Sequence, residues 1–156
     1  MRIMRLAAVL GALALAAACS SFASDPACAP VDPGGECFGP ADAAFAAHAL
    51  ASAAAWPQLE GLALTAGPVI AASEEAAGQP TWVVPLMAND RVVAASRFLP
   101  VGERVRLAEV ALYQPPRTDF PVPVAGQRLV LIPTASCADP LPVSCLFANH
   151  SWRIDG

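Results

Sequence analysis

The 156-residue sequence has no lysine; all nine of its basic residues are arginines. Schiff-base catalysis and the lysine of a phosphate-binding loop are thereby excluded. Charge of either sign is scarce, at 14% of residues, and His48 and His150 are the only histidines available as neutral-pH bases. The chain carries no G-x-S-x-G elbow, H-E-x-x-H pair, glycine-rich phosphate loop, calcium-loop spacing or internal repeat. Without Arg2 and Arg5, seven basic residues face thirteen acidic ones, a net charge of −6. That balance argues against nucleic acid as a partner, even if Arg104, Arg106, Arg117 and Arg128 share a face.

What the sequence has in excess is apolar residues, 56% of the total, and part of that excess sits at the start. Arg2 and Arg5 precede a stretch from Leu6 to Ser24 with no charge at all, and its apolar part ends in Ala16-Ala17-Ala18-Cys19. A basic n-region, a short alanine-diluted apolar run and small residues are the marks of a secretory signal; a membrane span needs about 20 strongly apolar residues. At this junction the segment resembles a bacterial lipoprotein signal. The resemblance implies that Cys19 receives a diacylglyceryl thioether, and with it fatty acids such as palmitate, and becomes the mature N-terminus. Ser20 after the cysteine then resembles the outer-membrane sorting signal of cells with two membranes. Ala16 stands where such signals prefer Leu, so cleavage after Ala18 or Ala23 with plain secretion is the competing reading.

Five cysteines are an odd number for an exported chain, and setting Cys19 aside leaves the even set Cys28, Cys37, Cys137 and Cys145. Three connectivities are open. The turn-rich segments within 28–37 and 137–145 favour local pairs. Chain entropy favours the crossed patterns, at about 4.8 kcal/mol for a loop of about 110 residues against about 2.7 for one of ten. The spacings do not fit structural zinc sites, and neither histidine joins a metal-ligand pattern, so no metal and no cofactor are expected.

The expected organisation is a signal peptide over 1–18, a tether over 19–39 rich in Pro, Gly and Asp, and one small domain over 40–156. Gly39-Pro40 opens an alanine-rich helix reaching Trp56, with Phe45, Ala49, Ser52 and Trp56 as its packing stripe. If Ser52 is buried, its hydroxyl is expected to bond the carbonyl of His48; His48 itself reads as a packed histidine. Residues 59–72 suit a short strand or an irregular crossing, and 73–80 a loop in which Glu74-Glu75 is solvated or opens the first turn of a short helix. Thr81 to Leu99 reads as a hairpin about Asn89-Asp90, with Pro85 marking an edge or a bulge. In 104–113, Arg104 and Arg106 share parity with Val110 and Leu112, while Glu109 shares parity with Val105 and Leu107. Either a bulge near Ala108 swaps the faces or the strand leaves the sheet there. Pro115, Pro116, Pro121 and Pro123 predict a surface loop over 114–124, and 127–132 a last strand.

The predicted fold is therefore α+β: one N-terminal helix packed on a three- to four-stranded antiparallel sheet, with Pro-rich loops. The Thr81-Trp82-Val83-Val84-Pro85-Leu86 run leading through Asn89-Asp90 to Arg91-Val92-Val93-Ala94 is similar to hairpins of small cystatin-like or PepSY-like exported domains. That likeness transfers no site. With no catalytic set in view, the expected function is that of a non-enzymatic interaction or accessory module of the cell envelope. Its partners would be the membrane, through the lipid on Cys19, and an envelope protein. The alternatives are a small hydrolase using His150 with a distant hydroxyl, and a small-ligand-binding domain with a pocket between helix and sheet.

Overall fold

The computed structural model describes residues 37–156. The signal, Cys19, Cys28 and most of the tether lie outside them. Helix α1 spans Asp42–Ala53. Its alanines supply propensity, and Asp42 in the first turn suits the dipole. It stops three residues short of Trp56, because a residue before proline is driven from helical to extended backbone. Trp56 is extended at φ −106°, ψ 110°, and Pro57–Leu59 follows as a 3-10 turn. The buried face of α1 is thus Phe45, Ala49, Ser52 and Ala53. The Ser52 hydroxyl donates to the carbonyl of Ala49 at 2.7 Å, one residue later than predicted.

The sheet is where the prediction fails. Eight strands follow: β1 Thr65–Ala66, β2 Ile70–Glu74, β3 Pro80–Ala88, β4 Arg91–Val101, β5 Arg104–Arg117, β6 Arg128–Pro133, β7 Cys145–Phe147 and β8 His150–Asp155. They form one sheet in the order β5-β4-β3-β2-β6-β8-β7, with β1 also on β3, curled into a nearly closed barrel. The fold is mostly β, not a helix on three or four strands. Three segments account for the difference. Gly67 and Pro68 split one apolar stretch into β1 and β2. The Pro-rich start of the expected loop continues β5 to Arg117, which is tolerated because β5 is an edge strand. The C-terminal tail folds into the β7–β8 hairpin.

Pro85 sits in a central strand, and its setting explains how. β2 pairs with β3 up to Val83 and β1 from Leu86 onward, so Pro85 faces the break between them. There its carbonyl accepts from the Gly67 amide at 2.7 Å, and a Cβ on Gly67 would lie 2.7 Å from the proline ring. Only glycine allows that approach. Asn89 and Asp90, at φ 50° and 61°, form the predicted two-residue turn of a type I′ hairpin.

The two faces of the sheet bury two cores. On the outer face, Phe45 of α1 meets Phe98 and Phe38 edge-on at 5.2 Å and lies 5.4 Å from Trp82. His48 stacks on Phe38 at 4.0 Å, as a packed histidine. The inner face gathers Val83, Ala95, Ala111, Tyr113, Leu129, Leu131, Leu146 and Phe147.

Phe45 is 1% exposed, whereas Trp56 is only half-buried. Phe45→Ala is expected to cost about 3–5 kcal/mol, and Trp56→Ala about 1–2 kcal/mol, since less of its area leaves water on folding. Thermal melts of the two variants check this ordering.

Candidate functional site

β5 carries the site, and a bulge sets its aim. Phe98 pairs with Leu107 and Arg97 with Glu109, which leaves Ala108 as the extra residue. The parity conflict in the sequence is resolved by this bulge, in the first of the two ways foreseen. Beyond it, Glu109, Ala111 and Tyr113 face inward and Val110 and Leu112 pack toward the outer core.

Three inward side chains of β5, four residues apart, reach across to the C-terminal segment. The Glu109 carboxylate accepts from the Ala148 amide at 3.1 Å. The Tyr113 hydroxyl donates to the Leu146 carbonyl at 2.8 Å. Arg117, buried and stacked at 4.0 Å over the Tyr113 ring, donates to the carbonyl of Pro142 at 2.8 Å and more weakly to those of Leu141 and Val143. β5 and β7 are the two ends of the sheet, and these side chains join them where a backbone ladder would otherwise close the barrel. The loop they grip is held by the Cys137–Cys145 disulfide, the local pairing the turn composition favoured. Cys37 is also disulfide-bonded; Cys28, its favoured partner, lies outside the described residues.

Glu109 also anchors a charged cluster on the inner face. Arg97 gives one terminal nitrogen to Glu74 and the other to Glu109 at 3.2 Å, with its guanidinium 5.8 Å from the Phe147 ring. Glu74 is thus a half-buried partner at the end of β2 and not a solvated loop residue. Glu75 pairs with Arg153, which also bonds Asp155. Those hydrogen bonds raise the Arg153 pKa and lower that of Asp155.

His150 begins β8, its Nε2 4.0 Å from Glu74 and its Nδ1 3.1 Å from the carbonyl of Ala148. The neighbouring Ser151 hydroxyl points away, to the carbonyl of Ile132 at 3.4 Å. The imidazole therefore has a carboxylate nearby, but its adjacent hydroxyl is turned from it. The four arginines considered as a patch are dispersed. Arg104 bonds the Cys37 carbonyl, Arg106 lies two residues further along β5, Arg117 is buried, and Arg128 lies on β6, with three strands between it and β5 along the sheet. Among the described residues no group of three or more His, Cys, Asp and Glu side chains is arranged to hold a metal.

Outside the stitched seam lies a cleft of about 520 Å³, lined by Trp56, Gln58, Glu109, Leu112, Gln114 and Asp139 among others. Its volume falls in the ~300–1,000 Å³ range of ligand pockets. It opens between β5 and the disulfide loop, not between helix and sheet. Comparison with protein families, curated proteins and solved structures finds no match to this chain. The site therefore rests on its own geometry. Sequence reasoning missed Glu109, Tyr113 and Arg117 as a set; the spacing of Glu109 and Tyr113 on one strand face was the available signal, whereas a register shift separates Arg117 from them.

Burial pushes the Tyr113 hydroxyl up, well above the usual phenol range, with Arg117 opposing in part. The unfolded chain releases this proton near pH 10, whereas the folded one keeps it. The stability it contributes is therefore complete below pH 10 and is lost as pH rises above that value. Tyr113→Phe is expected to cost about 1–2 kcal/mol at pH 7, through the orphaned Leu146 carbonyl, and to flatten the alkaline fall in stability. Denaturant titrations from pH 7 to 11 measure both. Arg97→Met removes the cation that Glu74 and Glu109 share and should cost about 3 kcal/mol, most of it recovered when both become Gln.

Proposed function

We propose that this chain is an exported, lipid-anchored interaction module of the cell envelope, and that it holds a protein partner in the cleft beside β5. The observation that carries the reading is the cleft itself. It sets a half-buried tryptophan, two glutamines and an unladdered strand edge in one opening. Aromatic and backbone groups left accessible in this way are what protein partners use. The Cys137–Cys145 disulfide suits an oxidising compartment. The charged side chains nearby are spent on structure, Arg97 on two carboxylates and Arg117 on loop carbonyls, which favours binding over hydrolysis. Membrane attachment would come from acylation of Cys19; among the described residues no helix is long and apolar enough to cross a membrane.

Two arms test this. Metabolic labelling with a fatty acid should mark the wild type and not Cys19→Ser; an unlabelled wild type with its N-terminus at Ser24 would establish plain secretion. A photo-reactive phenylalanine analogue replacing Gln114, in the cleft, should yield a discrete protein adduct in living cells. The same analogue replacing Arg128 should not. Equal adducts at both positions, or none at Gln114, would remove the cleft as the docking surface.

A further inference from the structure

The outer edge of β5 is a strand edge with free backbone groups, and the ladder shows which residues offer them. The Pro85 carbonyl turns away from β4 to Gly67, so Pro85 and its β4 partner Ala95 are a pair without hydrogen bonds between them. Antiparallel strands alternate the direction of their backbone groups, so Ala95 turns to β5, where it meets Ala111. Arg97 likewise meets Glu109. Val110 and Leu112 must then direct their N–H and C=O outward, and both line the cleft. Before the bulge the outward residue is odd-numbered: Val105 exchanges both its bonds with Phe38, each 2.9 Å. Phe38 thus caps the edge at Val105, and past the bulge Val110 and Leu112 are the outward residues that open on the cleft.

The charged side chains lining that opening are Glu109 and Asp139, both acidic. Arg97, behind Glu109, is shared with Glu74, so one positive charge faces two carboxylates. Trp56 adds a π face favourable to a cation. We propose that the edge of β5 from Val110 to Leu112 takes an extended peptide segment of the partner by backbone pairing, and that the cleft selects a segment bearing arginine or lysine. This inference rests on the docking reading above and names the partner's chemistry. Backbone bonds supply affinity whatever the sequence, and the acidic lining supplies the choice.

The probe is the peptide Thr-Val-Thr-Arg-Thr-Val-Thr with blocked ends, titrated into the isotope-labelled mature protein and followed by NMR. It should bind about tenfold more tightly than the same peptide with Glu in place of Arg. Methylating alternate backbone nitrogens should abolish binding on the edge-facing set alone. Asp139→Asn, at an exposed loop position, should shrink the Arg-to-Glu preference about threefold without unfolding the protein. Equal binding of both peptides, indifference to N-methylation on either set, or no binding would overturn the proposal. So would a concentration-dependent dimer broken by peptide-independent changes at Leu112, or binding that appears only after residues 19–36 are removed, since a second copy or the chain's own arm would then be the occupant. If the peptides fail while the Gln114 adduct persists, the strand-addition inference falls and the docking surface stands; if both fail, the docking surface falls as well.

Discussion

The extra residue at Ala108 is the constraint on which the rest of the structure depends. A strand alternates its faces strictly, so without an insertion Glu109 would lie on the face of Val105 and Leu107, against the helix. With it, Glu109 turns inward to Arg97 and Tyr113 follows on the same face, while a second register shift, where Ala94 pairs with Leu112 and Val92 with Arg117, sets Arg117 against the C-terminal loop. The unpaired residue at Ala108 thereby turns Glu109 and Tyr113 to the seam and leaves the backbone groups of Val110 and Leu112 open.

Closure by side chains differs physically from closure by a ladder. A ladder would satisfy the edges of β5 and β7 continuously and remove the edge altogether. Here three contacts along the inner face, from Glu109, Tyr113 and Arg117, fix the approach of the two ends. Arg117 and Tyr113 are buried, and burial lowers the pKa of the first and raises that of the second, yet each has its hydrogen-bond partners. The outer side of the seam is left to the cleft. The aromatic cluster of Phe38, Phe45 and Phe98 packs on that same outer face, in the core against which Val110 and Leu112 rest.

Local chemistry made some of this legible in the sequence. Asn89-Asp90 announced a hairpin because both residues tolerate positive φ, and Pro57 announced the end of a helix. The bulge was visible as a clash of parities between Arg104 and Leu112. Sheet size was not legible, because β1 and β2 are two and five residues long and β2 finds β6 by a parallel pairing far along the chain. Such pairings leave no local periodicity. Glu74 read as solvated for the same reason: its partner Arg97 is 23 residues away. The proline pair at 115–116 spoke for a loop, and only the edge position of β5 makes it compatible with a strand.

Amide hydrogen exchange along β5 in the free mature protein measures the central claim most directly. The account predicts slow exchange at Glu109 and Ala111, whose amides face β4, and fast exchange at Val110 and Leu112, whose amides face the cleft. Protection of Val110 and Leu112 with exposure of Glu109 and Ala111 would place the strand in the other register. Uniform protection of all four would mean that the seam is closed by a ladder, and either result would contradict the account.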